Sequence, residues 1–215
     1  MSASHPTTRI VAALAVGLTF ALPALAGPPL ICHPFVTGAE PVLPWTPSRD
    51  WSSPDPSYDV GTLTADTLEL LSADAPVLAR MENLRRATIY AEKDRRVATD
   101  LLRAVMARTE APDATALSWF DAGYLVETYK QSALIYEHRM SPTPKGYEPL
   151  LAATNAPLDG YALVRKAAEL APKLAPELEF AASLMARDNA GSEDHRRRAA
   201  AAARPGSLLA RNLER

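Results

Sequence analysis

The stretch Val77-Leu-Ala-Arg-Met-Glu-Asn-Leu-Arg-Arg-Ala-Thr-Ile-Tyr-Ala91 decides the fold class. Val77, Leu78, Met81, Leu84, Thr88 and Ile89 recur at steps of three and four, the spacing of one helical face. Just upstream, Ser72-Ala-Asp74-Ala-Pro76 supplies a capping side chain and a proline for a first turn. Downstream, Asp94 can cap a helix that carries Val97, Leu101, Leu102, Val105 and Met106 on one side. Pro112-Asp113 opens another, with Leu117, Phe120, Tyr124 and Leu125 leading on to Tyr136.

The same grammar extends both ways. Thr62 or Thr64 caps a short helix with Leu63, Leu68, Leu70 and Leu71. Ser141-Pro-Thr-Pro-Lys-Gly146 reads as a loop, followed by a turn or two around Tyr147–Thr154. Asp159 caps a helix from Gly160 to Ala171 that Pro172 ends, and Pro176 enters the first turn of the next, to about Arg187. Ser192, Glu193 and Asp194 start a last, alanine-rich helix that stops at Pro205-Gly206. No stretch alternates as a half-buried strand does. The expected class is all-α, with short loops that favour antiparallel helical hairpins in an irregular array or bundle over residues 60–215.

Residues 27–59 differ. Eight of the chain's 19 prolines fall there, and proline fixes φ and removes a donor, so neither helix nor central strand is expected. The segment also carries Leu30, Ile31, Phe35, Val42, Leu43, Trp45 and Trp51, which favours a docked arm over the alternative, a flexible tether. It reads as an extended, proline-rich arm laid across the helices. Ahead of it, residues 1–26 have the marks of an export signal: Arg9, the uncharged run Ile10–Leu22, a break at Pro23 and small residues in Ala24-Leu25-Ala26. Cleavage is expected between Ala26 and Gly27, giving a periplasmic or secreted protein with no transmembrane segment.

Composition removes several classes of function. With 23 Lys+Arg against 25 Asp+Glu there is no basic field for nucleic acid. A single cysteine makes no internal disulfide and no thiolate metal cluster. Scattered single glycines form no phosphate loop, and no Gly-x-Ser-x-Gly elbow occurs. No cofactor is expected. The chemistry that remains is sparse. Cys32-His33 pairs a thiol with an imidazole, suited to a soft metal or an activated thiol, although neighbours on an extended chain point apart. Past the expected cleavage site only His138 and His195 remain as further histidine ligands; His138 reads as a helix-end cation, His195 as part of a solvated face beside Arg196–Arg198. Tyr124, Glu127 and Lys130 step by three along one helix and form a candidate ligand groove, and Trp45 and Trp51 are candidates for a glycan or small ligand. Gly123 in mid-helix calls for the close approach of another element.

Two resemblances follow from particular motifs. Lys166-Ala-Ala-Glu-Leu-Ala-Pro172 and the Trp119–Gly123 spacing resemble parts of a tetratricopeptide repeat over about 70 residues. Ala122 and Val126 depart from its pattern, and an Ala-Thr-Ile-Tyr90/Ala-Leu-Ile-Tyr136 echo repeats at 46 residues. The run Gly27-Pro-Pro-Leu-Ile-Cys-His-Pro-Phe35, with Leu43-Pro-Trp45 and Met81-Glu-Asn-Leu-Arg-Arg-Ala-Thr-Ile-Tyr90, is similar to a family of exported bacterial proteins that brings no assigned activity. The expectation is an exported, non-catalytic helical scaffold for a protein or peptide partner. A Cys32-His33 metal or thiol protein is the alternative, and a cell-wall or small-ligand binder the second.

Overall fold

A computed structural model describes residues 29–47, 50–139, 158–186 and 188–215, with side chains for all of these except Pro29 and residues 136–139. The signal segment 1–26, the Ser141–Gly146 loop, the Tyr147–Thr154 turns and the His138 side chain lie outside that description. Within it the protein is all-α: α1 (Pro29–Cys32), α2 (Leu63–Leu70), α3 (Val77–Ala91), α4 (Arg95–Glu110), α5 (Ala116–Arg139), α6 (Gly160–Leu170), α7 (Ala175–Met185), α8 (Asn189–Ala202) and α9 (Leu208–Leu213). The only bridge of β type among the described residues is an isolated pair, Trp45 with Pro54.

Polar pairs fix how the central helices run. Arg80 meets Asp121 at 2.7 Å, the Thr88 and Thr128 hydroxyls meet at 2.8 Å, and Ser132 donates to Glu92 at 2.9 Å. Residue numbers rise together along both chains, so α3 and α5 are parallel. Arg108 also reaches Asp121 at 2.8 Å, while the Tyr129 hydroxyl donates to the Ala98 carbonyl at 3.1 Å, so α4 runs antiparallel to α5. The α3–α5 pairs stand 40 or 41 residues apart, which leaves the 46-residue sequence echo out of register with the packing.

Helix α3 is enclosed almost all round: fourteen of its fifteen residues are buried, among them Arg80, Glu82, Asn83 and Arg85. A stripe explains one face of such a helix. The polar residues on its other sides need partners, because an unpaired buried charge is very costly.

The C-terminal helices pack by a different device. Gly123 of α5 lies against the first turn of α6, where an added Cβ would stand 2.5 Å from the Gly160 carbonyl oxygen and 2.9 Å from Leu163 Cβ. The missing side chain lets the two backbones touch, and Glu127 Oε1 accepts from the Gly160 amide at 2.9 Å on the same seam. Ser192 donates to the Ser183 carbonyl at 2.7 Å, while Glu179 meets His195 further back, so α7 and α8 form an antiparallel pair.

Several boundaries differ from the sequence expectation. The arm begins with a helical turn, Pro29–Cys32, because proline is tolerated at a first turn. Pro76 precedes α3 as an extended N-cap without a side-chain cap bond, instead of entering its first turn. Helix α5 starts at Ala116, beyond Pro112-Asp113, where Thr115 and Ser118 bond each other's backbone amides at 3.3 Å. Helix α8 begins at Asn189, three residues before Ser192, because Asp188 accepts from the Gly191 amide. Pro205-Gly206 ends it as expected, but Ser207 then caps α9, a helix the sequence reading lacked.

Candidate functional site

Residues 30–47 and 50–55 run over α3, and the body holds them chiefly by their backbone. Gln131 of α5 accepts from the Leu30 amide at 3.0 Å. Glu82 accepts from the Phe35 amide at 3.0 Å. Asn212 of α9 accepts from the Val36 amide and returns a bond to the Val36 carbonyl, both 2.9 Å. Asn83 treats the arm similarly, accepting from the Leu43 amide at 2.9 Å and donating to the Pro41 carbonyl at 3.2 Å. Tyr90 donates to the Pro44 carbonyl at 2.7 Å and accepts from the Asp55 amide at 2.9 Å. Arg85 donates to the carbonyls of Ile31 (3.2 Å) and Trp51 (2.9 Å), and Arg86 to that of Leu43. Asn and Gln carry both a donor and an acceptor for this, while Arg supplies donors to the carbonyls alone.

Glu82 is the hub of this clasp. Its oxygens take two bonds from Arg85 (2.8 and 2.9 Å) and one from Arg86 (2.7 Å) besides the Phe35 amide. Burial alone would raise its pKa; the bonds from Arg85, the charges of Arg85 and Arg86 and the Phe35 amide outweigh that, so the carboxyl is held below its ordinary value. Asp121 goes the other way. Desolvation raises it to about 6 although Arg80 and Arg108 both reach its Oδ2. Its Oδ1 is buried with no partner among the described residues.

The residues singled out in the sequence fall into separate places. Trp45 lies in the clasp, its ring 5.1 Å from the Arg85 guanidinium and 5.3 Å from that of Arg86, edge-on to Tyr90 at 5.9 Å. Trp51 packs with Trp45 against the small cluster Ile31, Cys32, Ile89 and Ile135. Both indoles are therefore engaged in the arm–body seam. Cys32 is buried in that apolar cluster while His33 is exposed. The two side chains part, and among the described residues no group of three or more His, Cys, Asp and Glu comes together to hold a metal.

The expected Tyr124–Glu127–Lys130 groove divides. Tyr124 is fully buried against Phe120, its ring centroid 5.6 Å away, and burial drives its phenol well above the ordinary value. Lys130 instead donates to Glu127 at 2.8 Å and to the Leu158 carbonyl at 2.6 Å, tying α5 to the approach to α6. Glu127 and Tyr161 line a cavity of about 300 Å³ beside Asp159 and Asp188. Three apart on a helix gives a shared face only approximately, and the face shared here is turned inward at Tyr124.

His195 corrects the sequence reading outright: it is 3% exposed, not solvated. Its Nε2 meets the Tyr161 hydroxyl at 2.6 Å and its Nδ1 meets Glu179 at 2.5 Å, joining α6, α7 and α8. Arg198 also approaches Nδ1 at 2.7 Å, and since a guanidinium only donates, the tautomer decides which neighbour that nitrogen serves. Glu179 is held below its ordinary value: burial works against this, and the bonds from His195 and Arg198 prevail. With both ring nitrogens engaged, the imidazole acts as a tie between helices.

Apart from Gln131 and Asn212, the clasp residues were present in the sequence as the polar letters of Met81–Tyr90. A helix whose stripe is interrupted by Glu82, Asn83, Arg85 and Arg86 looks solvent-facing there, and only the arm's position shows that it is covered. No known protein family, curated protein or solved structure matches this chain. Among the described residues, no helix is long and apolar enough to cross a membrane.

Proposed function

We propose that this protein is an exported, non-catalytic helical scaffold that binds a protein or peptide partner. The observation that supports the reading is the clasp: Asn83, Tyr90 and Asn212 hold a stretch outside the helices by its amides and carbonyls, and Arg85 holds the Ile31 and Trp51 carbonyls. Main-chain recognition of this kind tolerates many sequences and is a common way to hold an extended peptide. In this chain the arm is the segment held. A partner would meet the faces left around it, where Leu170, 55% exposed, is one of two large apolar side chains in solvent among the described residues. The reading of residues 1–26 supports export.

Two measurements test this. N-terminal sequencing of the protein isolated from its native host should start at Gly27; an intact Met1 in the cytoplasm would remove the export half. A photo-crosslinking residue at Leu170 or at Glu193 should give one discrete adduct of constant mass in repeated preparations. Monomer alone from both positions would remove the partner half.

A further inference from the structure

A second cavity, about 330 Å³, opens where the arm crosses the C-terminal helices. Its walls come from four segments: His33, Pro34 and Phe35 of the arm, Phe180 and Leu184 of α7, Arg196 of α8, and Asn212 of α9 with Arg215 just beyond it. The volume lies at the small end of the roughly 300–1,000 Å³ typical of small-molecule sites. Its two ends differ in chemistry. Phe35 and Phe180 meet edge to face, their ring centroids 6.2 Å apart, and with Leu184 and Pro34 they make an apolar floor. His33, Arg196 and Arg215 stand exposed at the rim, and no carboxylate side chain lines the cavity.

Elsewhere in the described chain, the arginines of buried or half-buried clusters answer carboxylates: Arg80 and Arg108 face Asp121, Arg85 and Arg86 face Glu82, and Arg198 faces Glu179. Arg196 has no such partner. One of its terminal nitrogens is spent on the Leu213 carbonyl, which seats the guanidinium at the rim and leaves donors to spare. Asn212 is not available to a ligand, because its amide is committed to Val36 and to the Leu208 carbonyl. Its part is to hold the arm, and with it the Phe35 wall, in place.

We infer that this cavity binds an organic carboxylate with a small apolar body: an aryl or acyl group on the Phe35–Phe180 floor, its carboxylate on Arg196 and Arg215. Guanidinium groups suit this because they bond carboxylates in paired, charge-assisted fashion. Two sources carry that chemistry, a free small acid and the C-terminal residue of another polypeptide. The inference does not depend on the scaffold reading, since a free acid would fill the same site.

Calorimetric titration of the full-length mature protein tests it with three probes: 3-phenylpropionate, the peptide acetyl-Gly-Ser-Phe with a free carboxylate, and the same peptide as its C-terminal amide. Saturable one-to-one binding of the carboxylates, with the amide about tenfold weaker or worse, is the expected result. Comparable affinity of phenylpropionate and the free-acid peptide assigns the site to small acids; a clear advantage for the peptide assigns it to a chain terminus. Both support the site. The double substitution Arg196→Glu with Arg215→Glu should abolish carboxylate binding while a thermal melt stays near that of the parent, because both side chains are exposed. Arg103→Glu, remote on α4, should change nothing. Equal binding of acid and amide, carboxylate binding that survives the double substitution, or no saturable binding of any probe would overturn the inference.

Discussion

The arm clasp and the α5–α6 seam solve the same problem, holding two backbones together, by opposite means. At the clasp long polar side chains span the gap and bond the arm's amides and carbonyls one by one. At the seam the side chain is removed altogether, and Gly123 and Gly160 bring main chain against main chain. The first arrangement is specific but carries buried charge, so each piece depends on its neighbours. The second depends on a single missing methyl at each position. Contacts that depend on one another should fail together, and contacts made by shape should fail locally.

The largest effect is expected at the hub. Glu82→Ala leaves Arg85 buried without its counter-charge and should cost about 3–5 kcal/mol in denaturant unfolding. A loss under 1 kcal/mol would mean that the clasp is not an interdependent unit. Gly123→Ala comes next, at about 1–3 kcal/mol, since the new Cβ meets the rigid backbone of Gly160. Its mark should be confined: hydrogen exchange should quicken in α5 and α6 and stay unchanged in the 30–47 segment. Faster exchange in both places would erase the contrast between the two regions.

Acidity probes two of the buried carboxylates, Asp121 and Glu82, in opposite senses. Asp121 titrates near 6 when folded against an ordinary 3.8, so the folded state takes up its proton first, and this group's contribution to stability rises as pH falls from about 7 to 4. Glu82 is held below its ordinary 4.5, so its contribution is complete above that value and is lost as pH falls beneath it toward the folded pKa. Stability of the parent minus that of Asp121→Asn should therefore grow on the order of 2 kcal/mol between pH 7 and 4. A flat difference, or a carboxyl carbon-13 titration of Asp121 centred below 4, would contradict the assignment. The smallest effect belongs to Asn83→Ala, which strands the Leu43 amide and the Pro41 carbonyl for about 1–2 kcal/mol. Its signature should spread along the arm: faster proteolysis across residues 30–47 and a red-shifted Trp45 emission. Protection equal to the parent would show that Asn83 does not hold the arm.

These two regions were not equally legible beforehand. The helical body could be read because its signals are local: the Val77–Ile89 stripe, Asp94 and Asp159 as caps, Pro172 as a stop. Gly123 could be flagged as anomalous, since a mid-helix glycine costs stability, but its partner lies 37 residues on, across a segment with no pattern to align them. The clasp was illegible for a related reason. Glu82, Asn83 and Arg85 are letters that sequence assigns to solvent, and they are buried because residues 40 to 54 positions earlier cover them. His195 was misread in the same way: its neighbours Arg196–Arg198 are exposed, while the imidazole turns under α7 and α6. Periodicity reports which face is apolar; it is silent on which polar groups another segment will satisfy.

The span of the arm's bonds along the chain sets an order of events in folding. Leu43 waits for Asn83, 40 residues on; Leu30 waits for Gln131, 101 residues on; Val36 waits for Asn212, 176 residues on. Contacts so distant in sequence close late, after the loop entropy between their ends has been overcome. A chain delivered N-terminus first would thus present its proline-rich leader before any of the groups that hold it exist, and the Val36–Asn212 latch could shut only when the last helix had arrived. That latch is a reporter of late assembly: a molecule in which it is closed has brought the arm and the last described helix together.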